Sequence, residues 1–242
     1  MSGSITAVVP AREGSRRLRN KNLAPFGGQP LLVHKIRQLQ RVADVSRIVV
    51  SSDSDRMLEL AEQEGVDVHR RVPEYADDVV GRSMGETIAH IATSVPGDVV
   101  MWAQCTSPLV DEHVYARAIA RYREALTEGY DSLLTVTRIH EYLWGADGPV
   151  NFQPGLGHVP SQQLPELYRA TFGVLLAPRE SMIGWSYYHG PNPYRMVVSK
   201  REAVDIDDGL DLLCARAWID ASAEHSAVNP FDWTAERHNE GQ

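Results

Sequence analysis

Ile5-Thr-Ala-Val-Val-Pro-Ala-Arg-Glu-Gly-Ser-Arg-Arg-Leu-Arg-Asn-Lys-Asn22 decides the fold. Its first five residues are an unbroken apolar run, the signature of a strand buried on both faces. Pro30-Leu-Leu-Val-His-Lys-Ile-Arg-Gln-Leu39 follows, with Leu32, Ile36 and Leu39 at helical spacing. Between strand and helix lie five cations, Arg12, Arg16, Arg17, Arg19 and Lys21, interleaved with Gly14, Ser15, Asn20 and Asn22. A donor-rich cationic loop at the carboxyl end of a first strand suits a polyphosphate, because guanidinium forks and backbone N–H groups can share its oxygens. The spacing matches neither of the common glycine-rich phosphate motifs. A solvated basic loop is the plainer reading of the same residues.

Outward from that stretch the pattern alternates. Strands are expected at Arg47–Ser52, Val66–Val68, Asp98–Ala103 and Ser132–Val136. Helices are expected over Asp53–Glu64, Met84–Ala92 and Val114–Leu126, with Ser83 and Glu86 as a capping box before the second. Strands separated by helices of this length predict an α/β fold with a mainly parallel sheet and helices on both faces. Ligands of such sheets bind beyond the carboxyl ends of the strands, where the loops at 10–22, 51–54 and 104–108 converge. From 138 to 194 proline, glycine and aromatic residues take over. One strand-like run, Thr171–Leu176, interrupts this region, which reads as an inserted arm or lid. The core is therefore expected over 1–137 and 195–222, with strands at Arg195–Val198 and Ala203–Ile206, a helix over Gly209–Ser222, and a polar tail over 223–242.

Charge narrows the partners. The 242 residues carry a net charge of −8, yet residues 1–47 hold nine Lys or Arg against two acids. A cationic pocket on an acidic body fits a small anion and argues against nucleic acid. No apolar run is long enough for a membrane span, and two cysteines, Cys105 and Cys214, outside any metal-ligand spacing fit a cytoplasmic protein. His140 and His158 read as surface residues and Cys105 as a small filler beneath the pocket.

The acidic counterpart is Val204-Asp-Ile-Asp-Asp208. In an extended strand Asp205 and Asp207 share a face, where their repulsion favours a cation between them. Hard oxygen ligands suit Mg²⁺, which completes its shell from water and phosphates. The alternatives are that both face solvent, or that one caps the helix that follows.

Taken together, several stretches resemble the CMP-sialic acid synthetase (acylneuraminate cytidylyltransferase) family. They are Val9–Ser15 with Lys21–Leu23, Val49–Asp53, Glu74–Asp78, Gln104–Leu109, Gln162–Pro165 with Arg169, and Asp205–Asp207. The resemblance implies a glycosyltransferase-A-like nucleotidyltransferase fold, and a homodimer whose inserted arm reaches the partner's sugar pocket. It implies that Arg12, Ser15, Lys21 and Asn22 hold the CTP phosphates and ribose, and that Arg71 and Ser83 surround the cytidine. Gln104, Arg169, Tyr187 and Tyr188 would meet an acidic keto sugar, and Asp205 and Asp207 would bind Mg²⁺. Arg12, Lys21, Asp205 and Asp207 would carry the chemistry. Five positions depart from the family's pattern: Glu13, Cys105, Trp144, Ala170 and Thr171. The implied reaction is CMP transfer from CTP to a nine-carbon 2-keto acid. An eight-carbon acid (Kdo), or a non-catalytic nucleotide-binding protein of the same fold, are the alternatives.

Overall fold

The computed structural model describes residues 3–14, 17–76 and 82–224. Seven strands form one sheet: β1 (Ile5–Ala11), β2 (Arg47–Ser52), β3 (Asp67–Arg70), β4 (Val99–Ala103), β5 (Ser132–Ile139), β6 (Leu167–Pro178) and β7 (Pro193–Val197). Their spatial order is β3-β2-β1-β4-β6-β5-β7. Every neighbouring pair is parallel except the two that β6 makes with β4 and β5. The helices are α1 (Leu31–Gln40), α2 (Asp55–Gln63), α3 (Met84–Ser94), α4 (Glu112–Thr127), α5 (Arg179–Trp185) and α6 (Gly209–Glu224).

The apolar runs form central strands because both of their faces are covered. Along β1, Ile5, Ala7, Val9 and Ala11 pack under α1, α2, α4 and α6. Val8 points to the opposite core, with Ile88 and Ile91 of α3 and Met182 of α5. Met101 and Ala103 of β4 join the first core while Val100 and Trp102 join the second, as a period of two requires. The capping box at the start of α3 forms as expected: Glu86 N–H donates to Ser83 Oγ, and Ser83 N–H donates to the Glu86 carboxylate.

Two expectations change. The excursion expected over 138–194 is narrower, because β6 is an interior strand whose Val174, Leu175, Leu176 and Ala177 are fully buried. Between β5 and β6 the chain leaves the sheet over 140–166, rising from the edge where β5 ends and β6 begins, and between β6 and β7 it leaves again through α5. The proline and glycine content around β6 disguised a strand that carries an irregularity. Its register shifts between Ala170 and Leu175, with Phe172 at a left-handed φ of 53°. The second change is Ala203–Ile206, which belongs to no strand: Ala203 ends a turn, and the residues after it pair with no neighbouring strand. Its backbone groups are taken elsewhere: Ile206 N–H donates to the Thr106 carbonyl, and Lys21 Nζ donates to the Ile206 carbonyl. Of the polar tail expected over 223–242, residues 223 and 224 belong to α6, and the rest lies outside the described residues.

Candidate active site

β1, β2 and β4 run parallel, so the loops after Ala11, Ser52 and Ala103 leave the sheet at one edge. A cavity of about 340 Å³ opens there. Its wall includes Arg12, Arg17, Lys21 and Asn22 from the first loop, Arg71, Gln104 and Thr106, and Asp205 and Asp207 from the segment before α6. Met84, Thr87 and Ile91 of α3 supply an apolar side, together with Trp102 and Tyr188.

The first loop is pinned from within. Asn22 is buried, and its amide donates to the Arg12 carbonyl at 3.2 Å. Buried Arg71 reaches under the same loop and donates to the Ala11 carbonyl at 2.8 Å. These bonds turn a run of like charges, which would otherwise splay into solvent, into a fixed rim. Glu13, the acid among the cations, points its backbone N–H at the Asp53 carboxylate, 3.0 Å away.

Cations and acids meet at Lys21. Its ammonium donates to the Ile206 carbonyl at 2.6 Å and lies 3.4 Å from Asp207 Oδ1; Arg17 approaches the same oxygen at 3.1 Å. Lys21 is largely sheltered and Arg17 open to water, so the inner ion pair is less screened than the outer. Asp205 lies against the Thr106 hydroxyl. Crowding by protein pushes its carboxyl above the ordinary carboxylate range, and the charges of Asp207 and Asp211 add to the shift. Capping falls to a different acid than the pair: Leu210 and Asp211 N–H groups donate to Asp208 Oδ1. Asp211 in turn accepts from the backbone N–H groups of Asp207 and Asp208, holding Asp207 at the helix entrance.

The cavity brings together Arg12, Lys21, Asn22, Arg71, Gln104, Tyr188, Asp205 and Asp207. Ser15 lies outside the described residues. Ser83 caps α3 instead of lining the cavity. Arg169 and Tyr187 are also off the wall: Arg169 donates to the Ala203 carbonyl at 3.4 Å, and Tyr187 packs against His189. Cys105 is buried, with its thiol pushed up to about 12 by burial, as a filler would be. His158 stacks on Tyr142 in the excursion.

Sequence reasoning named Arg17 only as one of five loop cations, and did not single out Thr106 or Trp102. Trp102 was findable, since it stands two residues before Gln104 at the end of a strand. Met84, Thr87 and Ile91 also stand three and seven residues along one helix face. Thr106 carried no signal of its own, because its partner is a hundred residues away.

The strand order and the site at the carboxyl edge define an α/β nucleotidyltransferase fold. A CMP:2-keto-3-deoxy-manno-octonic acid synthetase in complex with CTP matches at a TM-score of 0.67, covering 90% of this chain and 99% of that one at 14% identity. A 4-diphosphocytidyl-2C-methyl-D-erythritolsynthase from Anaerococcus prevotii matches at 0.65, covering 90% and 97% at 12% identity. At such identities these likenesses speak for the fold alone. Residues 6–147 match the family model described as Cytidylyltransferase, and the chain belongs to that family.

Curated relatives are of two kinds. The N-acylneuraminate cytidylyltransferase of Escherichia coli O18:K1:H7 (strain RS218 / NMEC) is 27% identical over 225 residues, 87% of this chain and 51% of its own length. The 3-deoxy-manno-octulosonate cytidylyltransferase of Chlorobaculum parvum (strain DSM 263 / NCIMB 8327) is 32% identical over 121 residues, 50% of this chain and 46% of its own. The chain thus spans about half the length of these relatives. Among the described residues no helix is long and apolar enough to cross a membrane.

Proposed function

We propose that this chain transfers CMP from CTP to the anomeric hydroxyl of an acidic 2-keto sugar, releasing pyrophosphate. One observation carries the reading: the cations of the first loop and the carboxylates near residue 206 share one cavity and touch through Lys21. A triphosphate needs the cations, and a divalent ion on that triphosphate needs the acids.

The chemistry follows from charge. The sugar hydroxyl attacks the α-phosphorus, the bond to pyrophosphate breaks, and negative charge grows on the phosphoryl and leaving oxygens. Arg12, Lys21 and Arg17 neutralise that charge where it grows, in the manner of an oxyanion hole. Asn22 and Arg71 keep the loop in place, so little reorganisation is needed at the moment of reaction. The hydroxyl must also lose its proton, and the acids that line the cavity beside the proposed phosphates, Asp205 and Asp207, are the carboxylate cluster that would receive it.

The donor set fits Mg²⁺. Asp205 and Asp207 are close enough to repel. Among the described residues no group of three His, Cys, Asp or Glu stands ready to hold an ion alone. That suits an ion which takes its other ligands from water and phosphate; bound to Asp205 and Asp207, it would supply further neutralisation of the phosphates.

For the acceptor, the nine-carbon acid type is the better-supported reading. The N-acylneuraminate relative aligns over 87% of the chain, whereas the octulosonate relative aligns over 50%. Action as a homodimer is part of the proposal. The excursion exposes Trp144, Val150 and Leu156, apolar side chains that a second copy would cover. A pyrophosphate-release assay with CTP, Mg²⁺ and a panel containing N-acetylneuraminate and 3-deoxy-manno-octulosonate tests the reading. Turnover with an acid of the panel is expected. Tight CTP binding with no turnover across the panel would favour a non-catalytic nucleotide-binding protein.

A further inference from the structure

A fully buried lysine lies beneath the site, and the reaction above makes no use of it. Lys35 of α1 has no solvent-exposed surface. An ammonium in the interior costs several kcal/mol unless its protons are bonded. Here Nζ donates to the Ser107 carbonyl and to the Val110 carbonyl, each at 2.9 Å, and lies 5.0 Å from the centroid of the Tyr115 ring. His34 Nε2 stands 3.1 Å from the Pro108 carbonyl, and Gln38 Nε2 donates to that same carbonyl at 2.9 Å. Three carbonyls of a single loop therefore turn down into one helix.

The same loop presents the cavity wall on its upper side. Gln104 and Thr106 belong to it, and Thr106 bonds the Asp205 side chain and the Ile206 backbone. From β6 the loop is met by Gly173, where an added Cβ would stand 3.1 Å from Val110 Cγ2. The loop is thus gripped between α1 and the irregular stretch of β6. A hydrocarbon at position 35 would fill the space but take a donor from two buried carbonyls, leaving that of Ser107 with the 3.3 Å bond from the Val110 N–H.

We propose that Lys35 is a positioning residue for the acceptor half of the site: it locks the 104–110 loop so that Gln104 meets the keto acid and Thr106 holds Asp205. The inference rests on the reading given under Proposed function for its kinetic arm only. A buried ammonium, held by burial to a pKa of about 7, can lose its proton near neutrality and still donate two N–H bonds, so the grip survives either protonation state.

The test compares wild type with Lys35→Met and with Gln38→Leu. The second variant is milder, because Gln38 Oε1 has no partner among the described residues and its loss removes an orphan. In Lys35→Met, KM for the keto acid is expected to rise roughly fivefold or more and kcat to fall about tenfold, with KM for CTP within about twofold of wild type. Gln38→Leu should shift the same constants in the same sense by about two- to threefold, and decides the matter if Lys35→Met does not fold.

Hydrogen exchange supplies the arm that needs no turnover. The Ser107 and Val110 amides, which bond back to Gln104 and Ser107, should exchange faster in both variants, while those of α3 stay as in wild type. Unchanged exchange at 107 and 110 overturns the proposal. So does a loss shared equally by both substrates' constants, which would make Lys35 a matter of stability alone. A wild type that turns over no acid in the panel counts against the function proposed above, and the exchange comparison still decides the role of Lys35.

Discussion

The two halves of the cavity are built to different standards. On the side proposed for the nucleotide, the residues expected at the phosphates and the cytidine that line the cavity are fixed by bonds within the chain: Arg12 through its carbonyl to Asn22, Arg71 to Ala11, Lys21 to Ile206. On the acceptor side, Gln104 and Tyr188 reach the wall, but Arg169 and Tyr187 do not. The excursion that rises beside that half leaves Trp144 68% exposed. A pocket for a nucleotide can be finished by one loop folding back on its own strand.

The largest effect should come from breaking the nucleotide side. Lys21→Ala or Asp207→Ala is expected to lower kcat on the order of 100-fold or more in a pyrophosphate-release assay, with the circular dichroism spectrum unchanged. Activity within a few-fold of wild type would remove both from the chemistry. Next, Gln104→Ala should raise KM for the keto acid about tenfold and leave KM for CTP nearly untouched. An equal rise in both constants would erase the division into halves.

The platform under the acceptor loop predicts a pH effect. Burial, with Lys35 and Arg41 nearby, holds His34 to a pKa of about 4, against 6.5 when exposed. Between those values the unfolded chain binds more protons, so stability rises with pH, by on the order of 1 kcal/mol after allowing for partial exposure. The same sense applies to Lys35, from about 7 up to 10.5. Urea unfolding at pH 5, 7 and 9 should show stability increasing at each step, and His34→Gln should flatten the first. A smaller effect is expected at Ser83, where alanine costs about 1 kcal/mol as a lost cap, lowering the melting temperature by about 2–4 °C. A change in CTP affinity of tenfold or more in that variant would instead place Ser83 against the cytidine.

What the sequence disclosed follows the range of the forces involved. The strand at Arg47–Ser52 and the capping box at Ser83 and Glu86 were legible because periodicity and capping act within a few residues. The cationic loop on the cavity wall was legible because its charge density is local. By contrast, β6 was partly hidden, since its irregularity at Ala170–Leu175 is stabilised by a distant strand: Thr171 Oγ1 donates to Thr135 Oγ1 at 2.8 Å. Asp205 and Asp207 were found as an acidic pair, but the strand inferred for them was not, because its hydrogen bonds go to Thr106 and Lys21. Lys35 carried no signal in the sequence beyond its place in the first helix; the fold reveals that three loop carbonyls converge on that helix.

If the first loop's cations and the acids near residue 206 act together on one triphosphate, Asp207 must change partners. In the free chain this carboxylate is the counter-ion of Arg17 and Lys21, and it would compete with phosphate for them. With Mg²⁺ bound it should become a ligand. Calorimetric titration of CTP into wild type and Asp207→Asn, with and without Mg²⁺, reads this directly. The variant should bind CTP more tightly than wild type without Mg²⁺ and more weakly with it. Equal affinities for the two proteins under both conditions would contradict the account.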